Sequence, residues 1–351
     1  MDELSIPTLG LILLTASLVA MISRRLPSLQ RRAGGRRDSG FVPGGTELPL
    51  SRELIFTVFL PPLIFQAALE IEWRHFRVNL PVTALLAFPG VAIAAAVVAL
   101  GMHWLLGWSW TGASLFDVLI AATDPVSVLA AFKELKVQPR LGLLVESESL
   151  LNDGAAAVGF AILIAMASDA SATPVAIASS FVWIVAGGIA IGAAVAAVLL
   201  LIAGRTEDHL VEITLTTIAA YGSFLIAEKF GMSGVLATLT SGLLVGNVGW
   251  KGAISANARS HVLAFWGYAA FLANSIVFIL IGGHEAHQPL AIFAGSSAVA
   301  VALMLLGRVL AIYPLCALLN PTSLKVDLKY QHVLVWGGLR GSLALALSRA
   351  L

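Results

Sequence analysis

A run of about 20 apolar residues is long enough to cross the hydrocarbon of a bilayer as a helix, and this chain carries such runs almost end to end. They fall at residues 6–22, 54–71, 81–106, 114–132, 141–167, 174–203, 210–230, 233–248, 263–282, 290–319 and 332–351, about eleven spans in all. The chain is 58% hydrophobic and only 12% charged, where a soluble domain carries about 25% charged residues. The fold class expected is an all-α membrane protein, multi-pass, with the lipid bilayer as its solvent and no separate soluble domain. The basic residues are scattered through loops rather than gathered on a face, so no nucleic-acid partner is expected. Cys316 is alone, so no intrachain disulfide can form, and its apolar neighbours make it a packed thiol. The first run follows Asp2 and Glu3 and precedes Arg24 and Arg25. That order is the reverse of a cleaved signal, so it reads as a retained helix ending in the cytoplasm.

The connections alternate in basic content. Segments 73–79, 133–140, 204–209, 251–259 and 325–329 hold nearly all the loop Lys and Arg, whereas 107–112, 168–173 and 283–288 hold none. The first set is therefore expected in the cytoplasm. The alternation breaks between residues 23 and 50, where six arginines lie in a stretch with no run long enough to span. Its start is expected inside and its end outside, which points to a spanning helix missing there. The apolar run at residue 351 also stops without a basic closing segment, and a last helix is expected to be missing too.

A charge inside hydrocarbon costs at least about 2.5 to 3.5 kcal/mol at the bilayer centre unless it is paired or hydrated. Asp124, Glu146, Glu148, Asp153, Arg308 and Arg340 all lie in or at the edge of spans. Too few basic residues flank Asp124 and Asp153 to neutralise every acid. Glu148 with Arg308 reads as a buried structural ion pair. Pro125 has no N–H and disfavours helix at Asp124, so the helix is expected to break there and free carbonyls and helix ends for a cation. The next span presents Ser149 and Asp153 on one face and Glu148 and Asn152 on the neighbouring face. An all-oxygen set of this kind suits a hard cation such as sodium. Near the end, Gly337, Gly338 and Gly341 surround Arg340 and permit an unwound or closely crossed helix. Interrupted spans early and late are the mark of a repeat-built transporter.

The segments LPPLIFQAAL, TDPV, ESESLLNDG and GGLRGSLALAL, in this order, resemble the monovalent cation:proton antiporter-1 family, the NhaP-like sodium/proton exchangers. The resemblance runs over residues 42–351. It implies an inverted-repeat antiporter fold of about thirteen helices with discontinuous crossing helices, here lacking the second and the last. It further implies a homodimer in the cell (inner or plasma) membrane that moves by an elevator-like shift and needs no organic cofactor. Residues 1–79 and 174–282 would form the dimerisation side, and residues 80–170 and 289–351 the transport core. Carried over by position, Asp153 and Asp124 would hold the monovalent cation or protons, with Ser149 and Thr123 beside them. Asn152 would brace the unwound stretch, Glu148 would pair with Arg308, and Pro125 and Arg340 would support the core. Gln66 stands where the family commonly has an acid.

The activity implied is exchange of sodium, or of lithium or potassium, for protons. A cation and a proton compete for the same oxygens, and an empty charged site is costly to carry through the membrane. With neutral Asn152 before Asp153, one proton would leave per sodium bound, making exchange electroneutral. A cation channel using the same acids and an inactive homologue are the alternatives. A zinc enzyme is not favoured: His284, Glu285, Ala286 and His287 are one residue short of H-E-x-x-H.

Overall fold

A computed structural model describes residues 55–123, 125, 128, 129, 132, 135, 137–168, 173–204, 208–285 and 290–338. A π-helical turn at Ile55–Phe59 leads into α1, Leu60–Glu70, whose Pro61 and Pro62 occupy the first turn, where amides lack carbonyl partners anyway. Helix α2, Trp73–Leu85, runs through a π-turn at Leu86–Gly90 into α3, Val91–Leu106. Pro89 inside the π-turn cannot donate to the carbonyl four back, and the helix loosens around it. Helix α4 is Trp110–Ala121, α5 is Pro139–Ser168 and α6 is Pro174–Ala203. Helix α7 spans His209–Lys229, α8 spans Gly234–Asn247 and α9 spans Ala256–Glu285. Helices α10, Leu290–Leu318, and α11, Leu328–Trp336, complete the described chain. Side-chain caps set several starts: Ser109, Thr173, Asp208 and Ser233 each accept from an amide in the first turn that follows.

Among the described residues six helical runs are long and apolar enough to cross a membrane: Trp73–Leu106, Pro139–Met166, Val175–Ala203, His209–Lys229, Ala258–Phe278 and Gly295–Leu318. Helices α1, α4 and α8 are apolar but shorter. At about 1.5 Å per residue α8 reaches only some 21 Å of a hydrocarbon layer about 30 Å thick. Most of its side chains are buried in protein, where a short helix leaves no polar end in lipid.

Two sets of helices pack around separate cores. Helices α1, α6, α7, α8 and α9 enclose Phe65, Ala196, Ala220, Val245 and Trp266. Helices α2, α5, α10 and α11 enclose Val82, Leu144, Ile312, Cys316 and Leu334, and α3 and α4 join α10 around Val98, Met102, Ala113 and Leu303. A further cluster, with Ile64 and Ala68 of α1, Leu119 of α4, Leu151 and Phe160 of α5 and Leu236 of α8, ties the sets together. Where lipid is as apolar as the protein, close backbone approach replaces the hydrophobic drive. A Cβ on Gly192 of α6 would collide with the Ala237 backbone of α8, and one on Gly246 of α8 with the Leu69 backbone of α1. Asn247 fastens the α1–α2 joint, accepting from the Trp73 amide at 2.7 Å and donating to the Ile71 carbonyl at 2.9 Å. On α6, Val182, Trp183, Val198 and Leu201 are exposed, an apolar face suited to lipid or to another subunit.

Two readings from the sequence change. Residues 73–79, taken as a connection, are helical: Arg74, His75 and Arg77 are exposed while Phe76 and Asn79 are buried, so the segment is the amphipathic first part of α2. Helix α9 runs through Glu285, so His284 and Glu285 close a helix rather than sit in a loop. The first helix, the arginine-rich stretch, the break in charge alternation and the end of the chain with Arg340 lie outside the described residues.

Candidate functional site

Helix α4 stops at Ala121, and Ala122 turns extended (φ −59°, ψ 135°). The cause lies four residues on, because the donor that would meet the Ala121 carbonyl is position 125, a proline without N–H. Backbone bonding of helical type resumes after it, with Leu129 N donating to Pro125 O at 2.8 Å. Helix α5 crosses this gap and supplies what is missing. Asn152 Nδ2 donates to Ala121 O at 2.7 Å and to Thr123 Oγ1 at 3.2 Å. Ser149 Oγ donates to Thr123 O at 2.5 Å, and Thr123 Oγ1 donates to Ser149 Oγ at 3.2 Å. Thr123, Ser149 and Asn152 are all buried. Asp153 is one turn beyond Ser149 on the same face of α5, half-buried, with Oδ1 shielded from solvent. The expected break is therefore present and begins at Ala122. Asp124 itself lies outside the described residues, between Thr123 and Pro125.

On the neighbouring face of α5, Glu148 meets Arg308 of α10 in a two-pronged pair, Nη1 to Oε1 at 3.1 Å and Nη2 to Oε2 at 3.3 Å. Arg308 Nη2 also donates to the Leu334 carbonyl at 2.5 Å. That carbonyl is in the last turn of α11, where unpaired oxygens and the helix dipole both favour a cation. Helix α11 ends at Trp336, and a Cβ on Gly338 would lie 2.6 Å from Arg308 Cζ and Nε. Only a glycine lets the chain pass this close to the guanidinium. Gln66 is engaged elsewhere, donating to Glu70 Oε1 at 2.7 Å one turn along α1.

A cavity of about 740 Å³ opens beside these helices. Its walls include Glu72, His75, Asn79, Gln138, Arg140, Glu146 and Leu324, which brings together two of the segments expected on the cytoplasmic face, 73–79 and 133–140, and the residue just before a third. Arg140 Nε donates to Asn79 Oδ1 at 3.2 Å, and His75 lies 3.0 Å from Glu72 across one helical turn. Glu146 on its wall is two turns before Asp153 on α5, about 10 Å along the axis.

One acid in the core escaped the sequence reading. Asp117 of α4 is 4% exposed and lines a small cavity with Glu148, Asn152 and Arg308. The signal was available, since it is a carboxylate inside an apolar run two turns before Asp124. Glu212 and Glu228 serve helix starts: Glu212 accepts from Ser255 N and Oγ, both at 3.1 Å, and Glu228 Oε1 accepts from Gly234 N at 3.1 Å.

A helix broken in mid-bundle and bridged by a polar stretch of a second helix is an arrangement in which half-helix ends and backbone oxygens can meet a cation within a membrane. The chain belongs to the sodium/hydrogen exchanger family, whose transmembrane region matches residues 3–351. It is 40% identical over 304 residues to the Na(+)/H(+) antiporter ApNhaP of Aphanothece halophytica, covering 85% of this chain and 58% of that protein. It is 34% identical over 353 residues to the Na(+)/H(+) antiporter NhaS2 of Synechocystis, covering 99% of this chain and 65% of that protein. The chain thus spans less than two thirds of the length of these relatives. Its fold matches the sodium proton antiporter MjNhaP1 of Methanocaldococcus jannaschii with a TM-score of 0.77 at 19% identity, covering 98% of this chain and 85% of that one.

Proposed function

We propose that this chain exchanges a monovalent cation, sodium in the first place, for protons across the plasma membrane. Asp153 and Asp124 are the carboxylates that carry cation or proton, and Thr123 and Ser149 offer oxygens beside them. The observation that carries this reading is the crossing itself: the break that begins at Ala122 is bridged by Asn152 and Ser149, on the helix that bears Asp153. Such a break exposes backbone oxygens and helix ends at the depth where a dehydrating cation needs them. Hard oxygen donors suit sodium, and the relatives' names point the same way.

Exchange follows from competition. A carboxylate buried among apolar helices holds a proton or a cation, and reorienting it with neither is costly. Only occupied forms of the core then cross between the two faces, which couples the fluxes by alternating access. The amide of Asn152 places no second acid before Asp153, which supports one proton per sodium and electroneutral exchange. The chain would work as a homodimer in the membrane. Residues 1–79 and 174–282 would form the dimer side, and residues 80–170 and 289–351 the moving core, with Arg340 and Pro125 supporting it.

The test is sodium-dependent pH change in proteoliposomes. Wild type is expected to acidify or alkalinise the lumen according to the imposed sodium gradient, and Asp153→Asn to lose this while still inserting. Wild-type exchange in Asp153→Asn would remove Asp153 from the site. A flux without a counter-ion requirement would favour a channel.

A further inference from the structure

A cavity of about 20 Å³ lies inside the core, closed by α3 and the π-turn before it, α4, α5 and α10. Its polar lining is Asp117, Glu148, Asn152 and Arg308, and the rest is apolar, including Leu86, Val98 and Ile312. About 10 to 15 Å³ of such space holds one water, and a water needs two to four polar partners. Glu148 binds Arg308 through both carboxylate oxygens and Arg308 Nη2 also donates to Leu334 O, while Arg308 Nε is buried without a partner among the described residues and could donate to a water placed here.

Asn152 is 0% exposed, and its orientation is fixed by chemistry. The Ala121 carbonyl only accepts, so the atom facing it at 2.7 Å must be the NH₂ nitrogen. Its Oδ1 is left buried with no hydrogen-bond partner, an arrangement native structures rarely tolerate without a bound water. Asn152 borders this cavity with its nitrogen turned to the α4 break, so Oδ1 is its polar atom left for the cavity. Asp117 brings a second acceptor to the same small space.

We propose that this cavity is the site of one structural water joining Asp117 to Asn152 Oδ1, which makes Asp117 a positioning residue for the cation site. The water donates one hydrogen to each acceptor. Its bond to Oδ1 holds the amide in the only orientation that presents Nδ2 to Ala121 O and Thr123 Oγ1. Asp117 thereby acts through Asn152 on the unwound stretch that carries Thr123, without touching the cation. This rests on the antiport reading above, and its tests separate the two.

Asp117→Leu fills the cavity with a side chain of similar size that anchors no water. It is expected to raise the KM for sodium about tenfold, the cost of one unsatisfied buried acceptor, with the maximal rate within about twofold of wild type. Asp117→Asn, which still binds a water, is expected to restore the wild-type KM. A wild-type KM in Asp117→Leu would overturn the proposal. So would an Asp117→Asn as impaired as Asp117→Leu, because the carboxylate's charge and not the bridge would then matter. If Asp117→Leu does not insert, the decision falls to an experimental density map of the wild-type chain that resolves other core waters. A water within hydrogen-bond distance of Asp117 and Asn152 Oδ1 is expected, and any other donor on Oδ1 would refute it. Failure of wild-type chain to exchange sodium for protons would instead defeat the antiport reading, and the map would still decide on the water.

Discussion

Splitting the Glu148–Arg308 pair is the perturbation whose size the structure sets most firmly. The two side chains are 6% and 8% exposed, and they share two hydrogen bonds of 3.1 and 3.3 Å. Removing one member of such a pair leaves the other charge in a low-dielectric core, at a cost of about 3 to 5 kcal/mol. The two single variants should differ. Glu148→Gln keeps an oxygen that accepts from Arg308, and the Leu334 carbonyl still takes one N–H, so its loss belongs at the lower end. Arg308→Met strips Glu148 of every donor described and frees the α11 carbonyl as well, which adds about 1 kcal/mol for one more hydrogen bond. The double variant buries no charge, so it should lose less than the sum by at least about 1.5 kcal/mol, within the range for residues in direct contact. Denaturant titration in detergent micelles measures all four proteins. Additivity within about 0.5 kcal/mol would mean the two side chains do not depend on each other, and the reasoning would fail.

Asn152→Ala removes the amide that donates to the Ala121 carbonyl across the gap made by Pro125, and should cost about 1 to 3 kcal/mol of stability, together with a raised KM for sodium in proteoliposomes. Gly338→Ala places a methyl 2.6 Å from a guanidinium held by Glu148 and Leu334; micelle titration should show a loss of about 1 to 3 kcal/mol, as for overpacking elsewhere, and no loss would mean that the Arg308 side chain is free to move aside.

The long helices were legible because hydrophobicity and turn chemistry agree at their ends. Residues 174–203 were bounded correctly, with Thr173 capping one end and Gly204 beyond the other. The segment 73–79 was not. Its charges suggested a loop, but they occupy one side of a helix whose other side buries Phe76 and Asn79, and average hydropathy over so short a stretch hides that. Helix α8 shows the same limit from the other direction: its 14 residues are few for a span, and only the surrounding helices make a short one tolerable. How the two helix sets interlock was not legible, since it depends on contacts such as Gly154 of α5 against Leu236 of α8 that carry no local pattern.

At the site, spacing alone put Ser149 and Asp153 on one face, and the proline alone announced the break. What joins them is a relation between a missing donor and a distant amide. Pro125 removes the hydrogen that Ala121 O needs, and Asn152, 31 residues from Ala121, returns it at 2.7 Å. No window of sequence contains both ends of that exchange. The same is true of Gly338, which the sequence offered as a place for an unwound or closely crossed helix without saying against what, and which the structure uses as clearance for Arg308. It is true of Asp117 in another way, because a carboxylate in an apolar run announces that something must be done with it without saying what. The break therefore stays open because two buried side chains of a crossing helix, Ser149 and Asn152, and its own Thr123 bond it, and losing any of them removes a hydrogen bond from a buried polar group. The cation site proposed here would be rigid where Asn152 and Ser149 hold the backbone oxygens of Ala121 and Thr123 and adjustable at the Asp153 carboxylate, which is what binding a proton and a metal ion by turns requires.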